Sequence, residues 1–169
     1  MRGVKRRRSS CRTLAGARNL KKEIASLRLS ASLAMTNNGL YRILDANFNR
    51  VKEGLRVCED LCRYIWNQRT LTRTFKDLRH EVTAIMVKVD MQKALEARHI
   101  EGDVGRTTSV SESKRENVDS LFWANAQRVK ESLRVLEEVT KLIDPKISSR
   151  LKLLRYKVYA LEQKVIGRG

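Results

Sequence analysis

Proline occurs once in 169 residues, glycine eight times, and Phe, Trp and Tyr together make up only 5% of the chain. So few turn-forming and aromatic residues argue against a sandwich or barrel and leave long stretches that nothing interrupts. No run of about 18 apolar residues occurs, so no membrane span is expected. The three cysteines form no disulfide framework. Cys58 and Cys62 stand four apart in a helical pattern, Cys11 lies in a basic segment, and a reducing, cytoplasmic setting fits them. The two histidines, His80 and His99, have no Cys or His partners at metal-ligand spacing, which speaks against zinc.

What the chain has in excess is positive charge, +17 from 36 Lys/Arg and 19 Asp/Glu. Residues 1–34 hold ten Lys/Arg and one acid, Glu23, and so carry nine of that surplus. The first segment lacks the apolar centre of a secretory signal. Its Arg- and Ser-rich, acid-poor composition resembles an organelle transit peptide and equally suits a disordered basic extension. Met35, ahead of Thr36-Asn37-Asn38-Gly39, would also serve as a translation start, with the preceding residues mis-assigned. Under each reading residues 1–40 are an extension, of which residues 1–34 are expected to be largely dispensable, and residues 41–169 are the domain.

That domain contains an internal repeat. Ala46 to Asp60 (ANFNRVKEGLRVCED) aligns without a gap on Ala124 to Glu138 (ANAQRVKESLRVLEE), identical at ten of fifteen positions. After a two-residue change of offset, Leu78-Arg79-His80 answers Leu154-Arg155-Tyr156. Each unit reads as a long helix, a short turn and a second helix. Asp144-Pro145 places an N-cap before a proline at the first helical position. Asn67 to Thr70 breaks the first hairpin at the equivalent point, and Ser113 with Glu116 is a capping box opening a helix to about Ile143. The expectation is an all-α, antiparallel four-helix bundle: repeat one over 41–97, a Gly-Asp loop over 98–113 and repeat two over 114–166.

On a helical wheel Ile43, Leu44, Phe48, Val51, Leu55, Cys58, Leu61 and Cys62 share one arc, the expected core face. Asn47 falls within it and Arg50 on its edge; Asn125 and Arg128 take the same places in repeat two. Buried amides and guanidiniums need partners. Two readings stand: a satisfied polar network fixing the bundle's register, or a cationic cavity between the hairpins for an anionic ligand. Glu59 and Glu137 read as a solvated face with helix-spaced ion pairs, while Glu53 and Glu131 lie nearer the core edge as pocket candidates. In the loop, Gly102-Asp103-Val104-Gly105-Arg106 lets main-chain N–H groups approach a ligand. Asp103 could hold a metal or close a turn, with Arg98 and Arg106 beside it as anion partners.

Asp45-Ala46-Asn47 with Arg50, Glu53-Gly54-Leu55-Arg56-Val57, Leu78-Arg79-His80, Gly102-Asp103-Val104-Gly105 and the Ala124–Glu138 and Leu154–Tyr156 copies occur in order. With them, residues 41–162 resemble the monofunctional hydroxymethylpyrimidine-phosphate kinase of thiamine biosynthesis, a domain also found fused ahead of thiamine-phosphate synthase. The resemblance implies ATP-dependent phosphorylation of hydroxymethylpyrimidine monophosphate to its diphosphate, with magnesium. It gives catalytic roles to Asp103, Arg50 and Arg128, and candidate magnesium ligation to Asp103, Glu53 and Glu131. Substrate or nucleotide contacts fall to Asn47, Glu53, Arg79, His80, Arg98, Gly102, Gly105, Arg106, Asn125, Glu131 and Arg155. A synthase barrel is absent from this sequence, so pyrimidine–thiazole coupling is not expected, and the basic extension is outside the pattern. The competing class is a non-catalytic basic helical protein that binds RNA or a partner such as thiamine-phosphate synthase, although no nucleic-acid reader motif is present. A homo-oligomer is compatible with either.

Overall fold

The computed structural model describes residues 10–105 and 115–167 and is built from helices, with no strand among the described residues. The helices are α1 (Ser10–Asp60), α2 (Arg69–Met86), the short α3 (Met91–Glu96), α4 (Val118–Thr140) and α5 (Pro145–Ile166). The chain divides into two units, Met1–Asn38 and Gly39–Gly169. In the first, α1 side chains from Lys22 to Asn38 are exposed. No helix among the described residues is long and apolar enough to cross a membrane.

Within the second unit α1/α2 and α4/α5 are the two expected hairpins, and α3 adds a turn of helix to the middle connection. The first turn is a π-helical segment, Leu61–Ile65, in which the Trp66 amide donates to the Leu61 carbonyl at 3.1 Å. Asn67 then reverses the chain with φ of 51°, a left-handed conformation that Asn tolerates better than most residues. The second turn is conventional: Asp144 accepts from the Lys146 amide at 2.8 Å and Pro145 opens α5. The start of α4 differs from the expectation. Ser113 lies outside the described residues, and Asn117 is the cap, accepting from Ser120 N at 2.7 Å while Ser120 Oγ accepts from Asn117 N. The helix ends at Thr140, because the Asp144 amide returns to the Thr140 carbonyl at 2.8 Å.

Val51 and Val129, repeat equivalents, are both fully buried in one apolar core with Leu55, Leu133, Leu151, Leu154 and Ile85. Gly54 sits against α4, where a Cβ would lie 2.7 Å from Val129 Cγ2 and 3.0 Å from the Asn125 carbonyl oxygen, so glycine is what permits this approach. Farther along, Cys58 Sγ lies 4.0 Å from the Phe122 carbonyl, so α1 and α4 run antiparallel. Phe122 gathers Trp66, Trp123 and Phe75 edge-on at 5.3, 5.1 and 6.0 Å. The Lys157–Glu81 ion pair at 2.7 Å joins α5 to α2. Ile43, expected in the core, is 40% exposed.

Candidate functional site

The repeated polar residues resolve first. Asn47 and Asn125 are buried, and each amide donates to the carbonyl four residues back in its own helix, Ile43 at 2.9 Å and Leu121 at 2.8 Å. These bonds satisfy the amides locally. Arg50 and Arg128 point to solvent instead, and neither makes an ion pair with a described residue. Glu59 and Glu137 are instead interior, each 3% exposed, where a solvated face was expected. Glu59 accepts from Arg79 Nε at 3.1 Å and faces Arg56 at 3.6 Å. Glu137 accepts from Arg155 at 2.9 and 3.1 Å and from Arg134 at 2.8 Å. Helix spacing alone could not foresee this burial, because it is α2 and α5 that cover these carboxylates. Arg79 and Arg155 are therefore committed first to neutralising buried acids. Their surroundings raise the pKa of Arg155, through the Tyr159 hydroxyl first and Glu137 next.

A groove of about 430 Å³ lies where the start of repeat one meets the middle connection. It brings together four expected site residues, Asn47, Arg50, Arg98 and Asp103, with Arg42, Asp45 and His99, and Ile43 and Ile100 as apolar wall. Asp45, 8% exposed, takes Arg98 in a bidentate pair at 2.6 and 2.7 Å, and that hydrogen bonding raises the Arg98 pKa. This pair fastens the segment after α3 to α1, a charge-assisted geometry of high specificity. Asn49 adds a donor to Asp45 at 3.2 Å. Gly102 packs on His99 so closely that a Cβ would fall 2.0 Å from the ring, and its amide donates to His99 Nδ1 at 3.1 Å. Asp103 accepts from the Gly105 amide at 3.0 Å, an Asx turn, while lining the groove. Arg42 and Arg50 are the groove's cations without an ion pair among the described residues. Asp45 was legible only as part of a motif: its repeat counterpart is Trp123, so an unmatched acid beside a matched Ala-Asn was the available signal.

The other expected residues lie elsewhere. Glu53 and Arg79 line a first-hairpin cleft with Asn49, Lys52 and Arg56. Glu131 and Arg155 line its repeat copy with Gln127, Lys130, Arg134 and Tyr159. His80 is exposed on α2, and Arg106 lies outside the described residues. The three candidate magnesium ligands are thus in three different clefts, and among the described residues no three His, Cys, Asp or Glu side chains converge on one point. Of the three, only Asp103 lines the groove.

Residues 42–164 match the ThiD2 family. Similar curated proteins include the thiamine-phosphate synthases of Nostoc punctiforme, 42% identical over 129 residues, and of Synechocystis, 45% identical over 127 residues. The matches cover 76% and 75% of this chain but 36% of each synthase, so the chain spans about a third of the length of these relatives. The synthase of Rhodopirellula baltica is 37% identical over 131 residues, 75% of this chain and 35% of that protein. No solved structure matches. A match that runs from residue 42 to residue 164 covers most of the chain, which therefore belongs to the ThiD2 family.

Proposed function

We propose that this chain acts in thiamine biosynthesis as a kinase, transferring the γ-phosphoryl group of ATP to hydroxymethylpyrimidine monophosphate. The observation that carries the reading is the groove, in which Arg42 and Arg50, free of ion pairs with described residues, face Asp103 beside the apolar Ile43 and Ile100. Two cations suit a phosphate monoester, and the apolar wall suits a pyrimidine ring. A phosphate oxygen of the acceptor attacks the γ-phosphorus, the bond from that phosphorus to the β–γ bridging oxygen breaks, and ADP leaves with the electron pair. An ionised phosphate needs no general base, so the chain's work is positioning and charge stabilisation. A magnesium ion held on the nucleotide, with Asp103 as a carboxylate ligand, would offset charge on the donor phosphates.

ATP consumption with hydroxymethylpyrimidine monophosphate as acceptor tests the reading. Stoichiometric formation of ADP and the pyrimidine diphosphate supports it. Binding of the pyrimidine phosphate without turnover would instead favour a non-catalytic role beside thiamine-phosphate synthase, the protein of which the matched region is 36% in Nostoc punctiforme.

A further inference from the structure

The turn between α1 and α2 carries more positive charge than the hairpin needs. Arg63 on the π-helical segment and Arg69, Arg73 and Lys76 along the first two turns of α2 line a further cleft, of about 890 Å³. The acids there do little to neutralise them. Glu59 is already held by Arg79 and Arg56, and Asp77 reaches Arg73 only at 4.0 Å with both side chains exposed. Arg63 lies over the Tyr64 ring at 4.8 Å. Arg63, Arg69 and Lys76 make no ion pair with a described residue.

The second hairpin is an internal control. At the matching positions it has Lys141, Pro145, Ser149 and Lys152, and Lys141 is bound to Glu138 at 2.8 and 2.9 Å. A hairpin of the same design therefore closes without the cluster. Folding does not explain four cations gathered around one cleft in the first copy alone, and like charges so close repel one another until an anion enters.

We infer that this cleft is a binding site for an organic di- or triphosphate, distinct from the groove described above. A concave volume of this order takes a small molecule. Four cations in a row along α2 and the facing turn suit a phosphate chain better than a single phosphate. The site is not where phosphoryl transfer in the groove takes place: thirteen residues of helix separate Arg50 from Arg63, about 20 Å at ~1.5 Å per residue. The inference does not depend on the kinase reading.

Calorimetric titration at about 150 mM salt, with phosphate, pyrophosphate, tripolyphosphate and ATP as probes, decides the matter without any turnover. The full chain should bind tripolyphosphate more tightly than phosphate. Arg69→Gln with Arg73→Gln should weaken tripolyphosphate at least about tenfold, with an unchanged melting temperature, because neither arginine holds a close native ion pair. Lys152→Gln, on the matching face of α5, should leave the affinity as it is. Full affinity in the double variant overturns the site, and so does an equal loss in Lys152→Gln, which would mark diffuse attraction to a basic chain. ATP binding more tightly than tripolyphosphate, with the excess lost in Tyr64→Ala, would identify a nucleotide as the source of the phosphates. Equal affinities would leave the phosphate chain alone as what is recognised.

Discussion

The two hairpins share an ionic skeleton and the cleft beside it, and differ at the start of each repeat and at the turn. Arg56–Glu59–Arg79 in the first is repeated as Arg134–Glu137–Arg155 in the second. Val51 and Val129 meet the same core, and Asn47 and Asn125 make the same bond to their own helices. Outside that skeleton the copies part. Asp45 clasps Arg98 where the second copy has Trp123. Lys130 is held by Glu162 at 2.7 Å and lies 5.6 Å from the Tyr159 ring, while its counterpart Lys52 rests on Phe48 at 5.2 Å; Glu162 and Tyr159 correspond to Met86 and Thr83. Around its turn the second hairpin pairs Lys141 with Glu138, whereas in the first Arg63, Arg69 and Lys76 have no ion pair with a described residue. The groove combines residues that both copies have, Asn47 and Arg50, with Asp45 and the segment after α3, which the second copy does not match, and the basic cleft is confined to the first copy.

The sharpest way to break this comparison is to remove the shared acid from each copy. Glu137→Ala strands the nearly buried Arg155, and urea unfolding should show a loss of about 3 kcal/mol. Glu59→Ala should cost clearly less, since Arg79 approaches it by one nitrogen only. Equal losses would mean that the skeleton is as tight in the first copy as in the second. Next in size is Asp103→Asn. Asn can accept from the Gly105 amide as Asp does, so the melting temperature should hardly move. As a magnesium ligand it is poor, and turnover should fall about a hundredfold, ~2.7 kcal/mol of transition-state stabilisation. Near-normal turnover at saturating magnesium would reduce Asp103 to a turn residue. The arginine pair then separates groove from scaffold. Arg50→Ala should weaken pyrimidine-phosphate binding by about 1.5–3 kcal/mol, one charge-assisted bond, and Arg128→Ala should weaken it less. Matching losses in titration would put repeat two back into the site.

The architecture was legible from the duplicated Ala46–Asp60 and Ala124–Glu138 stretches and from Asp144-Pro145, because periodicity and capping are local properties. Asn47, Arg50, Arg98 and Asp103 were legible as candidates, and the structure collects these four around one groove. Their neighbour Asp45 was hidden because its burial comes from the segment after α3, fifty residues away, which no wheel of α1 can show. The same holds for Glu59 and Glu137: on α1 or α4 alone they look solvated, and only the packing of α2 and α5 encloses them. Ile43 erred the other way, being on the apolar arc of α1 but left at the lip of the groove.

A smaller effect tests the helix crossing itself. Gly54→Ala puts a methyl group against Val129 and the Asn125 backbone, which cannot both yield, and should cost about 1–2 kcal/mol in urea unfolding. Ser132→Ala, at the repeat-equivalent position, adds nothing and should change stability far less.

The smallest effect concerns the acids at the ends of the two skeletons, Asp60 and Glu138. Glu138 holds Lys141 at 2.8 and 2.9 Å and Arg134 at 2.7 Å, and its pKa is lowered from the usual 4.5, by the Lys141 hydrogen bond first and the Arg134 charge after it. A carboxyl whose pKa is lower folded than unfolded stabilises the fold at pH values above the unfolded pKa, and that contribution disappears as pH falls through the folded one. Glu138→Gln should therefore melt slightly below the parent at pH 7, and the difference should close as the pH is taken below about 4. Among the described residues Asp60 has a single ion pair, to Arg56 at 3.3 Å, and its Oδ1 is buried without a hydrogen-bond partner. Asp60→Asn exchanges little at neutral pH and should shift the melt less than Glu138→Gln does. Thermal melts of both variants across pH 3 to 7 would reverse the ranking if the first copy held its outer charges as firmly as the second.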